Sequence, residues 1–518
     1  NTALGAGALE SNTTASYNTA VGYEALSANT TGSGLSAVGS GALYANTTAN
    51  SNTAVGYDSL RLTTTGEQNT SLGAYALDHN TTGAYNVAVG YNALTANTTA
   101  SDNTAIGKGT LESNTTGTGN VAVGKAALDS NTTGNYNTSI GRSSMDLNLT
   151  GSNNTAVGYQ SLRDTTTTNN TAFGYQALRL TTTGANNTGL GLQTLNANTT
   201  GAGNVAVGHQ TLDANTTGAD NIAVGMDALG ANTTGYGNVA LGKSCLEAHT
   251  TGNYNTGVGL NAMQVATTGS YNTAMGWNAL DAMTTASYNT VVGSEAAISL
   301  TTGDRNVGVG RYALQNLTTA HYNTAVGMQA LQLSTTAHSN TAVGYNAGDH
   351  ITTGHSNVVI GYGSDLSVNT GDNQVVVGAG LSGKGNDTTY TRGGNGAFHT
   401  GNTTTWSTSS DRRIKKNIVD NTVGLSIINQ LNVRNFEYKT EDEITTDSPE
   451  LTDVIKSAVI EKPGIQIGVI AQELEEICSS CVKTQNTGIK TVDTDPLIWH
   501  LINAVKELSA EVNALKAK

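Results

Sequence analysis

Along most of this chain, apolar residues return every 17 positions rather than at the period of a helix or of a long strand. The unit reads "NTAVGYEALSANTTGSG" from Asn18 and "NVAVGHQTLDANTTGAD" from Asn204, and 22 such units fill residues 1–373. One of them, Asn154 to Asn169, is a residue short. Within a unit "NTAVG" alternates like a short strand. The apolar position 4 (Val21, Val55, Ile106, Val157) is therefore expected on one face and the small position 3 on the other. Position 9 is Leu or Met in most units (Leu26, Leu60, Leu94, Met145, Met263) and is expected to fill the core beside position 4. The intervening "YxAL" fits either one helical turn or a bend.

A period this tight predicts a solenoid, in which each coil buries its apolar face only against its neighbours. Position 5 is Gly in every unit, from Gly5 to Gly361, which marks a corner or the close approach of another backbone. Position 14 is Thr throughout, and position 1 is Asn in every unit but the third, which has Leu35. "NTTG" is turn chemistry: Asn tolerates left-handed backbone and stacks its amide in ladders, and Gly supplies positive φ. No proline precedes Pro449, as an unbroken hydrogen-bonded ladder requires. One coil buries roughly two large apolar side chains at about 1.5–3 kcal/mol each. The backbone ordering cost is about 1–2 kcal/mol per residue. The expectation is a trimer, with three coils packed about a common axis and the small position 3 allowing close approach. At about 4.8 Å per rung the rod would be roughly 105 Å long.

Composition narrows the choice of partners. The 518 residues carry 24 Lys and Arg against 38 Asp and Glu, a net charge of −14. That balance argues against nucleic acid and against an anionic membrane surface. No run of about 18 apolar residues is present, so no transmembrane helix is expected. The chain starts at Asn1 in phase with its own repeat and without a signal peptide, which reads as a fragment lacking its natural N-terminus. Three cysteines, Cys245, Cys478 and Cys481, are too few for a disulfide scaffold. Adjacent Thr residues point to opposite faces, so the Thr-Thr pairs do not build a flat ice-binding face. Tyrosines at position 6 or 17 (Tyr57, Tyr91, Tyr136, Tyr288) read as half-buried corner packing in preference to sugar-stacking platforms. The "NTT" triplets read as turns in preference to glycosylation acceptors. The calcium-binding nonapeptide is absent, and neither a cofactor nor a metal is expected.

The repeat resembles the head repeats of trimeric autotransporter adhesins and similar arrays in phage tail fibres, through "NTAVG" and the trailing small-residue turn. The unit here is longer than the usual head repeat. From Gln374 the period fails. "VVVGAG" (Val375 to Gly380) reads as a last strand, and a polar, Gly-rich stretch follows to residue 409. It reads as a trimeric neck, with Phe398 and Trp406 packing on the axis, in preference to a flexible linker.

Residues 410–518 hold 30 charged side chains, and residues 1–409 hold 32. All three prolines, Pro449, Pro463 and Pro496, lie in the charged part, which reads as a separate small α+β domain. "NTVGLSIINQL" (Asn421 to Leu431) predicts a capped amphipathic helix and "VRNFEYK" (Val433 to Lys439) a strand. An acidic insertion, Glu441 to Asp453, comes next. "IQIGVIAQELEEI" (Ile465 to Ile477) predicts a strand running into a helix. Over residues 497–518, Leu501, Val505, Leu508, Val512 and Leu515 follow 4-3-4-3 spacing, a heptad seam that needs partner helices. Cys478 and Cys481 read as two helix-end thiols in preference to a redox or zinc half-site.

"SSDRRIKKNI", "GVIAQELEEI" and the terminal heptads, in that order, resemble the self-cleaving intramolecular chaperone of endosialidase tail spikes. The resemblance implies a domain over residues 410–518 that trimerises the fibre and then cuts itself off between Ser410 and Asp411. Ser410 and Lys415 would carry the chemistry. A Ser hydroxyl needs a base close by. Neutral Lys415, favoured by the crowding cations Arg412, Arg413 and Lys416, would deprotonate Ser410, whose oxygen attacks its own carbonyl to give an ester that water opens. The expected whole is mainly β: a trimeric solenoid or β-roll shaft (1–373), a neck (374–409) and a chaperone ending in a coiled-coil helix. It would be a homotrimer in a virion, attaching to a host cell-surface receptor, a glycan being one class, with no turnover of an external substrate. The alternative is a bacterial trimeric surface adhesin without self-cleavage. It would need a C-terminal membrane β-barrel where Ala504 to Lys518 reads as helix.

Overall fold

The computed structural model describes residues 1–391, 397–400, 412, 415–440, 443, 464–484 and 490–518. It divides into two units, Asn1–Thr408 and Ser409–Lys518.

The first unit is a parallel β-solenoid. Its rung strands run from β1 (Thr2–Leu4) to β23 (Val375–Val377), each three residues long and each at positions 2–4 of a unit. They pair in one-unit register throughout, as in Thr2↔Thr19, Ala20↔Ala37 and Val358↔Val375. The short unit keeps this register, with Thr155 opposite Thr171. Its missing residue is absorbed in the turn, where the Asn154 side chain donates to the Thr167 carbonyl at 2.7 Å. The sheet does not end at Val375–Val377, which the sequence suggests as the last strand. β24 (Thr388–Thr391) pairs in parallel with β23, and β25 (Ala397–Thr400) pairs antiparallel with β24. The step from Val375 to Thr389 is shorter than the repeat, which hides β24 from a search by period. The Phe398 and Trp406 side chains, expected on a neck axis, lie outside the described residues.

The two faces of each rung strand are the reverse of the expectation. Position 3 is the core: Ala20, Ala54, Ala105 and Ala223 are completely buried. Position 4 faces outward, with Ile106 40 % and Phe173 57 % exposed. Position 9 is buried as expected, in Leu26, Leu60 and Leu94. The physical reason is width. A Cβ added to Gly257, at position 3, would stand 2.5 Å from Cys245 Sγ and 3.3 Å from Met263 Cε. A leucine from the turn and a methyl from the strand therefore fill the coil. Where position 3 grows to Val291, position 9 shrinks to Ala297, and both are buried. Position 3 is thus spent inside its own coil and does not mediate close approach between coils.

The "YxAL" stretch is a turn through left-handed backbone at positions 7 and 9, as in Glu24 (φ 51°) and Leu26 (φ 54°). Such a conformation costs an L-residue about 1–2 kcal/mol, and here it aims the leucine into the core. Gly22, at position 5, meets both expectations. Its φ is 139°, and a Cβ there would lie 2.4 Å from the Gly39 carbonyl oxygen. In "NTTG", by contrast, neither Asn29 nor Gly32 is left-handed. Gly32 is required by space, since its Cβ would meet the Ala49 carbonyl at 2.3 Å and Asn29 Oδ1 at 2.6 Å.

Two columns of buried asparagines tie rung to rung. At position 1, Asn52 Oδ1 accepts the Asn69 backbone N–H at 2.8 Å, while Asn69 Nδ2 donates to the Gly83 carbonyl at 2.9 Å. At position 12, Asn46 Nδ2 donates to Asn29 Oδ1 at 2.9 Å. The buried amide nitrogens of both columns are thereby paired, whereas Asn46 Oδ1 and Asn232 Oδ1 are buried without a partner. This second column ends at His249, beyond which Ala266, Met283, Leu300, Leu317 and Ile351 are buried in its place.

The second unit contains α1 (Leu425–Ile428), β26 (Arg434–Phe436), β27 (Gln466–Gly468), α2 (Ala471–Ile477), β28 (Val482–Thr484), β29 (Lys490–Val492) and α3 (Thr494–Lys516). β26 pairs antiparallel with β27, and β28 with β29. The strand-to-helix passage predicted over Ile465 to Ile477 is present as β27 and α2. The helix predicted over Asn421 to Leu431 shrinks to the single turn α1, preceded by Gly424 without a side-chain cap. Leu474, Cys478 and Cys481 form the small buried cluster, with Ile427, Leu431, Val469, Val482, Val492 and Leu497 against it. α3 is capped by Asp493, whose side chain accepts the Asp495 N–H, and holds Pro496 in its first turn, where no backbone donor is needed.

Candidate functional site

Ser410 and Asp411 lie outside the described residues, so their geometry with Lys415 is not part of the structure. Lys415 is exposed, and its backbone N–H donates to the Arg412 carbonyl at 3.3 Å. Nearly all of the acidic insertion, Glu441 to Asp453, is outside the described residues too.

The structure does give the seat of the segment a few residues beyond Lys415. Residues Asn421 to Leu425 lie along one face of α3. Asn503 Nδ2 donates to the Asn421 carbonyl at 2.7 Å, and His500 Nδ1 is 2.8 Å from the Val423 carbonyl. Glu507 Oε2 accepts the Leu425 N–H at 3.0 Å. Between these contacts Gly424 presses on the helix: a Cβ there would stand 2.2 Å from the Ala504 backbone nitrogen. His500, Asn503, Ala504 and Glu507 recur at i, i+3, i+4 and i+7, one stripe of the helix. The sequence signal for this seat was Gly424 inside an apparently helical pattern, which demands a packing reason.

A second stripe of α3 is uncovered. Leu501, Val505, Leu508 and Leu515 are each more than half exposed, in the seam the heptad spacing marks out. Ile498 and Trp499 add to it at 51 % and 65 % exposed. At the base of α3, Lys483 pairs with Asp493. The shared hydrogen bond raises the lysine and lowers the carboxyl from their ordinary pKa values. Arg434 joins β26 to α2 through two bonds to Glu473, at 3.1 and 3.2 Å.

Cys478 and Cys481 are not the free thiols anticipated: they are joined, with an S–S distance of 2.01 Å. The Cys-x-x-Cys spacing allows it because the turn Ser479–Cys481 folds the chain back, with the Cys481 N–H donating to the Cys478 carbonyl at 2.9 Å.

Residues 410–483 match the family described as chaperone of endosialidase, Peptidase_S74. Comparison with curated proteins gives no match. The chain thus joins a β-solenoid of repeating 17-residue turns to a C-terminal module of the endosialidase-chaperone type. This arrangement fits a trimeric tail fibre carrying an intramolecular chaperone. Among the described residues no helix is long and apolar enough to cross a membrane.

Proposed function

We propose that the chain is the shaft of a bacteriophage tail fibre, part of the virion and in contact with a host surface receptor. Its module over residues 410–518 drives trimerisation and folding and then severs the Ser410–Asp411 bond. The observation that carries this reading is the family match, which begins at Ser410 itself. Two uncovered apolar columns support the trimer. One is the outward position 4 of the shaft, where Val38, Ile106 and Val224 stand about two-fifths exposed. Covering that fraction of a side chain is worth about 0.6–1.2 kcal/mol per rung and chain, and it recurs on rung after rung. The other is the heptad seam of α3 over residues 497–518. Residues 1–373 form the shaft and 374–409 the neck between the two functions.

For the cut, Lys415 takes the Ser410 hydroxyl proton and the oxygen adds to the scissile carbonyl. Attack on its own carbonyl, the simplest version, would close a strained four-membered ring. Attack on the Ser410 carbonyl of a neighbouring copy avoids that ring and ties the cut to assembly. The amine of Asp411 leaves with the proton returned by Lys415, and water hydrolyses the ester. The test is to mix Ser410→Ala and Lys415→Ala chains during refolding and weigh the products. Both variants should stay whole alone, and the wild type should yield a fragment beginning at Asp411. In the mixture the Ser410→Ala chain should be cut by Ser410 of its Lys415→Ala partner. A wild-type chain that remains whole, a mixture in which nothing is cut, or a Ser410→Ala chain cut at the same bond on its own would refute the reading.

A further inference from the structure

Cys478, Cys481 and His500 bring two sulfurs and an imidazole nitrogen within 4.8 Å of one another. Cys478 follows the last residue of α2, Cys481 ends the turn after it, and His500 reaches across from α3. His500 Nε2 lies 4.0 Å from Cys478 Sγ. Its other nitrogen, Nδ1, lies 2.8 Å from the Val423 carbonyl, which can only accept, so Nδ1 carries the proton. In the neutral imidazole Nε2 is then the nitrogen with the lone pair, on the side of the sulfurs. A backbone carbonyl fixing the far nitrogen in this way is the usual support of a metal-ligating histidine.

We propose that the reduced form of this site binds zinc through Cys478, Cys481 and His500, with water in the fourth position. Two thiolates and one neutral imidazole suit a borderline-soft, tetrahedral cation. They also neutralise its two charges, which fits a site packed against Leu474, Val469 and Val492. The sulfurs need to part from bonding distance to about 3.8 Å, the span set by two Zn–S bonds of about 2.3 Å. The Cα–Cα distance of 5.4 Å leaves room for that through side-chain rotation. The reaction balances with a thiol reductant. Two electrons and two protons pass to the disulfide while two reductant thiols become a disulfide. Zinc then displaces the two cysteine protons into solvent. Because His500 also holds Val423, the metal would clamp α3, the α2 turn and the Asn421-to-Leu425 seat together. The proposal does not depend on self-cleavage.

The experiment uses the whole chain, reduced and desalted, titrated with Co2+ as a spectroscopic stand-in and then with Zn2+. One cobalt per chain should bind, with a near-ultraviolet thiolate-to-cobalt band and visible bands of tetrahedral intensity that zinc abolishes. Stoichiometric zinc should slow alkylation of Cys478 and Cys481 in the wild-type chain at least tenfold. The third cysteine is a silent background: Cys245 is buried in the shaft, and burial pushes its thiol up to about 12. Cys481→Ser should lose the band and at least tenfold in affinity. Reduced wild-type chain that takes up no cobalt at micromolar concentration, binds it without the thiolate band, or alkylates equally with and without zinc would overturn the proposal.

Discussion

Replacing Gly242 with alanine probes the contact that sets the rung spacing. Gly242 has φ 138°, a conformation that costs other residues about 1–3 kcal/mol. The new Cβ would also lie 2.4 Å from the Gly259 carbonyl oxygen, well inside the roughly 3.3 Å at which carbon and oxygen meet comfortably. The two rungs must therefore part by about 1 Å. That strains the Gly259 N–H bond to the Leu241 carbonyl and the Val239 N–H bond to the Asn255 carbonyl, both 2.8 Å. At about 0.5–1.5 kcal/mol per bond, the local loss comes to about 2–6 kcal/mol with the backbone cost included. Coils couple only to their neighbours. Hydrogen exchange read by mass spectrometry should show protection falling around Val224, Leu241 and Val258 and unchanged in distant rungs. Gly230→Ala is the control. That glycine is not left-handed, and its nearest foreign atom, the Asp227 carbonyl oxygen, would be 3.3 Å from the new carbon. It should stay within about 1 kcal/mol of wild type. Equal protection in the two variants would refute the reasoning.

Three further outcomes follow from particular residues. Asp129, beside Glu112 and Asp146 and half-buried, has its pKa raised from 3.8 to about 6, first by burial and then by those carboxylates. A raised carboxyl disfavours the folded state once charged, so this part of the shaft should gain stability as pH falls from 7 through 6 towards 4. Discounted for its exposure, the effect is about 1 kcal/mol. Asp129→Asn should recover it at pH 7 and change nothing at pH 4, by denaturant titration. Gly424→Ala should unseat residues Asn421 to Leu425 from α3, raising exchange at Val423 and Leu425 and slowing the appearance of the Asp411 fragment at least tenfold. Leu508→Asp, on the uncovered seam, should leave α3 helical by circular dichroism but weaken chain association at least a hundredfold by sedimentation.

The repeat length, the rung strands and the strict glycine at position 5 were legible because each recurs in one-unit register. The facing of positions 3 and 4 was not. The usual rule sends the larger side chain inward, and only the width of the coil, filled by Leu26 or its equivalents, reserves the inside for Ala20. The left-handed backbone at Glu24 and Leu26 was hidden because neither residue advertises it. The seam on α3 was readable from spacing alone. The seat was not, because Asn421 to Leu425 looks helical until Gly424 meets Ala504. The Cys478–Cys481 bond and its neighbour His500 are far apart in sequence and needed the fold to bring them together.

The central claim is that the shaft and its chaperone module exist as three chains wound together. The direct test is the native mass of the uncut Ser410→Ala protein at micromolar concentration. The account predicts one species of three chains with the β-sheet signal intact. A stable, folded single chain would contradict it.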